Sequence, residues 1–366
     1  MIFRLFINCI LFIVISGNVF SQSFLIKGEL WLSELTGNDI PSNLSPIELN
    51  LGYMQMLSLS KALENDKFLD AEISYELNRI YSGDSLMTDD NDFYRYWIRY
   101  ATNKLEARVG LQKIVFGPSQ VLSSLAWFDS VDLQDPREKV NGVEALRLRW
   151  YPSNVISLWT WVINENNGMS FGGRGEFSSN IGEWGLSLHK NPKQSFLTLG
   201  DFETPILLES YYRIGTDYRY DGFMGLWNEN SLLNSKDFIL SMSTFGGDYT
   251  LPIFNGILIM GEYMFFSSEY RSPLMDIKEN QNSMAFMVSM PIGMIHQLMF
   301  ISSIEVDKNR KYNHLRLSST YDDYSINLIF SENPRRIEYE SSERALLPNS
   351  ISSNGLSVQI MFIYNH

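Results

Sequence analysis

Six cations in one stretch of this chain carry the strongest chemical signal. They are Arg95, Arg99, Lys104, Arg108, Arg147 and Arg149. The arginines recur at even spacings within each short run, so in extended chain those of one run share a face. Guanidinium groups held side by side attract oxyanions and can take them in a forked geometry. Glu72, Glu76 and Glu106 fall on the matching parity of neighbouring runs and are the expected acidic partners. Two functions fit this set. Lining a water-filled passage, it would concentrate anionic solutes. Bracing a wall, it would be a ladder of ion pairs.

Catalytic chemistry finds less support. The chain has four histidines, His189, His296, His314 and His366. His314 lies near Ser318, Asp322 and Asp323, the residue types of an acyl-transfer triad, yet nothing marks an activated serine. No His-Glu-x-x-His zinc signature and no phosphate-binding loop is present. The expectation is a protein that is not an enzyme, with no cofactor and no metal. The single cysteine, Cys9, precedes the expected mature chain, so thiolate metal sites and disulfides are excluded from that chain.

The elements that would hold these cations alternate strictly. Tyr94, Tyr96, Ile98 and Tyr100 oppose Arg95, Trp97 and Arg99. Leu105, Ala107, Val109 and Leu111 oppose Lys104, Glu106, Arg108 and Gln112, and Leu146, Leu148 and Trp150 oppose Arg147 and Arg149. The cleanest run sets Leu69, Ala71, Ile73, Tyr75 and Leu77 against Asp70, Glu72, Ser74, Glu76 and Asn78. One face suits lipid and the other a wet interior. A soluble sandwich burying Tyr96, Val109, Leu111 and Leu148 would show the same period.

Composition decides between them. The chain has 23 Phe, 19 Tyr, 8 Trp and 16 Met with only 19% charged residues, too greasy for a typical secreted soluble protein. No window is long and apolar enough for a helical span. A closed barrel resolves the conflict, because it exposes apolar side chains to lipid while its backbone bonds strand to strand. Residues 1–21 are expected to be a secretory signal peptide: Arg4, then an apolar core from Leu5 to Ile15, then Val19-Phe20-Ser21 before the cut. Loss of Arg4 takes the net charge from −13 to −14, which argues against nucleic acid as a partner.

The reading is therefore all-β: a closed antiparallel transmembrane β-barrel over residues 22–366 in the outer membrane. It has about sixteen to eighteen strands, with fourteen as the lower alternative, and one domain. Ser82–Asp92 is read as an acidic loop. The segment 117–142 exceeds an ordinary connection and is expected to enter the lumen as a constriction or plug. Trp127, Phe128, Asp129, Asp132, Asp135 and Arg137 would sit near the solute path. Its three aspartates could also hold calcium, although the EF-hand spacing is missing.

Phe93-Tyr-Arg-Tyr-Trp-Ile-Arg99 and Leu105-Glu-Ala-Arg-Val-Gly-Leu-Gln-Lys-Ile-Val-Phe-Gly-Pro118 together resemble porin-like barrels of the Gram-negative outer membrane. The run is similar to a segment of alginate-export-like and capsule-assembly (Wzi-like) barrels over about sixty residues. The resemblance implies surface polysaccharide export or attachment, or passive movement of polar solutes, anions and glycans among them, without a cofactor. It also implies outer-membrane lipid as surroundings and insertion by the barrel-assembly machinery, with Phe362 and Tyr364 in the terminal strand as the signal. Two alternatives stand beside a channel: a non-conducting surface barrel that organises capsular polysaccharide, and a structural subunit of a secretion or motility complex.

Overall fold

The computed structural model describes residues 22–128, 135–137, 139–165, 168–193, 209–271, 276–339, 344, 347 and 350–366. The expected signal peptide, Asp129, Asp132 and a brief strand expected at Ser195–Leu199 lie outside the described residues.

Among the described residues, eighteen antiparallel strands form one closed sheet. They are β1 (Gln22–Gly37), β2 (Ile47–Leu63), β3 (Lys67–Ser82), β4 (Ser85–Ala101), β5 (Leu105–Gln112), β6 (Val143–Ser153), β7 (Ile156–Glu165), β8 (Gly168–Ser179) and β9 (Gly182–Asn191). The other half comprises β10 (Tyr211–Asp221), β11 (Gly225–Asn234), β12 (Phe238–Leu251), β13 (Ile257–Arg271), β14 (Asp276–Ile292), β15 (His296–Glu305), β16 (Arg310–Thr320), β17 (Tyr324–Asn333) and β18 (Gly355–Asn365). Each pairs with its sequence neighbours, and β1 closes on β18 from Glu29↔Asn365 to Gly37↔Ser357. Eighteen strands overturn the fourteen-strand alternative. That lower count came from treating short segments as pieces of one strand or as loop hairpins. Instead the segments on either side of Ser178-Ser179-Asn180 are full strands, β8 and β9, paired across a tight turn from Phe171↔Lys190 to Ser179↔Gly182.

The alternation has its physical cause in the two solvents. Leu30, Leu32, Val109, Leu146, Leu148, Leu186, Leu188, Ile214, Leu232, Phe286 and Ile360 point outward and are exposed, making an apolar belt. Val109 is 46% and Leu148 38% exposed on this single sheet, so the two-sheet sandwich is ruled out. Among the described residues no helix is long and apolar enough to cross a membrane. The connections at one end are two to five residues long. The other end carries the long ones, including 38–46, 113–142, 192–210 and 334–354. Barrels of this kind keep short turns on the periplasmic side, which sets the orientation.

Two local readings are corrected. The acidic segment Ser85–Asp92 is strand, paired to β3 out to Ser82↔Ser85. Its alternation is hidden because this stretch rises beyond the belt, where both faces are wet. Tyr94 was expected on the lipid parity. Ser74 pairs with Arg95 and Tyr75 with Phe93, so Tyr94 is the extra residue of a bulge. The bulge turns Tyr94 inward, where Arg95 lies 4.1 Å over its ring.

Inside, three tryptophans lie flat over glycines of the adjacent strand: Trp31 over Gly52, Trp161 over Gly172 and Trp227 over Gly246, each a direct cross-strand pair. A Cβ at Gly172 would come within 2.5 Å of the Trp161 indole. Glycine is required there because the ring occupies the side-chain volume.

Candidate functional site: a charged wall and a loop across the lumen

Of the connection between β5 and β6, residues 113–128 and the described part of 135–142 lie inside the barrel. The outgoing limb reaches β11 and β13, where two buried carboxylates receive it. Glu229 accepts from the backbone N–H of Ser119 (2.7 Å), Ser124 (2.8 Å) and Leu125 (3.2 Å) and from the Ser123 hydroxyl (3.1 Å). Glu262 accepts from the N–H of Gln120 (2.8 Å), Val121 (3.0 Å) and Leu122 (2.6 Å). A loop in an irregular conformation has no ladder to satisfy its N–H groups. Here anionic side chains of the wall do so, with the stronger, charge-assisted kind of bond. Gly117, at φ +95°, lets the chain pass so close to Glu229 that a Cβ would collide with its carboxylate.

Apolar packing completes this side. Ile114, Phe116, Leu125 and Trp127 of the loop pack with Trp161, Tyr211, Leu233, Leu240, Met242 and Met264 of the wall. Trp127 donates from its indole N–H to Ser231 (3.1 Å), and its carbonyl accepts from Arg213 (3.1 Å). Phe128 packs against this cluster, edge-on to His189 at 4.9 Å. The returning limb lies against β1, β3 and β4. Asp135 holds Arg137 through both carboxylate oxygens at 2.6 to 3.1 Å, and the Arg137 guanidinium stacks 4.4 Å over Trp31. Lys139 pairs with Glu76 at 2.5 Å.

The lumenal face from β3 to β10 is charged, and it meets the loop where Arg174 lies 5.1 Å over Phe116 and Arg147 donates to the Lys113 carbonyl (3.4 Å). Asp70 binds Arg99 at 2.5 Å, and Glu106 is shared by Arg147 (2.7 Å), Arg108 (3.5 Å) and Arg99 (3.6 Å). Farther round, Arg149 pairs with Glu176 (3.0 Å), and Arg174 joins Glu176 (2.9 Å) to Asp217 (2.6 Å). Rings brace the guanidiniums: Trp97 under Arg108 at 4.4 Å and Trp159 under Arg149 at 4.2 Å. The strand ends place this ladder toward the periplasmic mouth.

The structure thus brings Arg99, Arg108, Arg147, Arg149 and Glu106 into one network. Arg95 stands apart, bound to the carbonyls of Tyr94 (2.6 Å) and Val140. Glu72 is on the same wall, across from Trp97. Lys104 is not in the lumen; it sits exposed in the turn between β4 and β5. Glu76 serves the loop rather than the arginines. Arg174, Glu176 and Asp217 extend the ladder beyond the expected set, and Arg174-x-Glu176 has the parity that marks the rest. Glu229 and Glu262 are isolated acids in greasy strands and carry no local signature in the sequence.

A second signal overlooked in the sequence is Gly168-Met-Ser170-Phe-Gly172, which has the spacing of a nucleophile elbow. The surroundings do not fit that role. Ser170 is fully buried within β8 rather than raised on a strand-to-helix turn. His189 on β9 accepts at Nδ1 from the Trp161 indole (3.1 Å). Its proton is therefore on Nε2, and that nitrogen cannot take one from a serine. His314 meets Ser331 (3.1 Å) rather than Ser318. Among the described residues no group of three or more His, Cys, Asp and Glu side chains could hold a metal. Asp135, from the candidate calcium set, is occupied by Arg137.

A closed eighteen-strand sheet, an apolar belt and polar groups turned inward define a β-barrel built to span a membrane. No protein-family model and no curated protein matches the chain. Solved structures do. Two mutants of the Rh. blastica porin align with it at a TM-score of 0.50, with 6% and 8% identity, over 94% of this chain and all of the other. A loop-deletion mutant of OmpT, an outer membrane protein of Vibrio cholerae, aligns over 94% of this chain and 99% of its own at a TM-score of 0.41 and 7% identity. At these identities the likeness is one of fold. None of these matches is an alginate-export or capsule-assembly barrel.

Proposed function

We propose that the barrel is an outer-membrane channel that passes polar, anionic solutes along its charged wall, past a loop fixed inside the lumen. One observation carries this reading. The loop's contacts with β11 and β13 are packed and dry, with Glu229 and Ser124 fully buried; Arg147 and Arg174 of the ladder are buried where the loop meets them, but Arg99, Arg149 and Glu176 stay partly open, at 33%, 29% and 26%. Charged groups on the lumenal face that keep such exposure border water, and a water path with a charged wall admits polar solutes. Nothing in this function calls for a catalytic step. Insertion would follow the general route for such barrels, through the barrel-assembly machinery, with Phe362 and Tyr364 of β18 turned to lipid as its signal.

A second reading is favoured by the reach of the loop, which touches β1, β3, β4 and β6–β13: a non-conducting barrel that displays or organises surface glycan. Planar-bilayer recording separates the two. A stepwise current whose ion selectivity changes sign or falls several-fold when Arg99 and Arg147 become Glu supports the channel. Absence of current from correctly folded protein, with retained glycan binding, would replace it with the second reading.

A further inference from the structure

Arg99, Arg108 and Arg147 are direct neighbours in the sheet. Arg99 pairs with Arg108 across β4 and β5, and Arg108 pairs with Arg147 across β5 and β6. Three like charges therefore stand abreast on strands about 4.8 Å apart. Direct like-charge pairs destabilise a sheet. Asp70 and Glu106 are the carboxylates in contact with the row, and Glu72 on the same wall acts on Arg108 from beyond ion-pair distance. Asp70 lies at the Arg99 end of the row, and Glu106 is split three ways, closest to Arg147. Arg108, in the middle, is served least. Its only carboxylate contact among the described residues is at 3.5 Å, and its Nε is buried without a partner. Yet its side chain is 17% exposed and its guanidinium plane is held by Trp97.

We propose that the row Arg99–Arg108–Arg147 is an oxyanion-binding station, centred on Arg108, for a phosphate, sulfate or carboxylate group, free or borne on a sugar acid. This rests on the channel reading only for its place on the solute path; binding itself needs no current. A carboxylate that partly compensates three guanidiniums also keeps the station weak enough to release its anion, which conduction requires.

The test uses the full barrel with inorganic phosphate as probe. In bilayers, added phosphate should block the chloride current, and Arg108→Gln should raise the half-blocking concentration about tenfold, the worth of one charged hydrogen bond. Arg79→Gln, at the outer rim and paired to Asp89, should leave the block unchanged. Calorimetric titration of detergent-solubilised barrel runs in parallel. Phosphate binding that is lost in Arg108→Gln upholds the station even if no current is seen, a result that would sink the channel reading alone. No phosphate binding to the unaltered barrel, or equal binding by Arg108→Gln, overturns the station. If Arg108→Gln fails the heat-shift test for a folded barrel, Arg108→Lys takes its place. It keeps the charge but not the fork, and unchanged binding there overturns the assignment to the guanidinium. Glucuronate in place of phosphate then tells a sugar acid from a small inorganic anion by which binds more tightly.

Discussion

Replacing Glu229 by Gln should loosen the lumenal loop, and the structure gives the size of the effect. The carboxylate serves Ser119 through one oxygen and Ser123, Ser124 and Leu125 through the other. A Gln amide retains one acceptor oxygen. If it faces the group of three, the Ser119 N–H meets an NH2 and is stranded, at about 1–3 kcal/mol. The three surviving bonds lose their charge assistance, about 1 kcal/mol each. A neutral amide is cheaper to bury than a carboxylate, which offsets part of the loss. About 3 kcal/mol remains, roughly a hundredfold in the local opening equilibrium. Hydrogen exchange followed by mass spectrometry on the detergent-solubilised barrel reads this directly. Amides of 119–125 should exchange about a hundredfold faster in Glu229→Gln, while those of β14–β17 stay unchanged. A change below threefold in a folded variant would show that apolar packing at Phe116, Leu125 and Trp127 holds the loop without the carboxylates.

Other expectations follow from the same geometry. Glu262→Gln should speed exchange at Gln120–Leu122 by a similar factor, and the two substitutions together should raise current noise in single-channel records. Leu186→Arg, in the middle of the belt on β9, should destabilise the barrel by about 2–4 kcal/mol in lipid-vesicle unfolding titrations, as a charge facing hydrocarbon does; a neutral result would refute the assigned parity. Gly172→Val should displace Trp161 and with it the Phe116 contact, lowering the temperature at which the barrel loses its heat-shifted gel mobility. Amino-terminal sequencing of protein purified from membranes should begin at Gln22; a chain beginning at Met1 would remove the signal-peptide expectation.

Much of the architecture was written locally. A strand crossing a membrane barrel meets lipid on one face and the lumen on the other, so Leu69–Asn78 and Leu105–Gln112 must alternate, and any reader of period two recovers their faces. The inward set Arg99, Arg108, Arg147 and Arg149 followed from parity alone. Tyr94 escaped this logic because a bulge shifts parity by one residue without marking the sequence. Ser85–Asp92 escaped it because a strand outside the belt has no apolar face to show. What the tertiary structure alone decided is which charges meet. Glu106 is one residue among many acids until β4, β5 and β6 set three arginines in a row around it. Glu229 and Glu262 gain their role only when a loop more than a hundred residues earlier in the chain returns its N–H groups to them. Alternation is a property of each strand and its two solvents; the pairing of charges across the lumen depends on register and closure, which no single segment encodes.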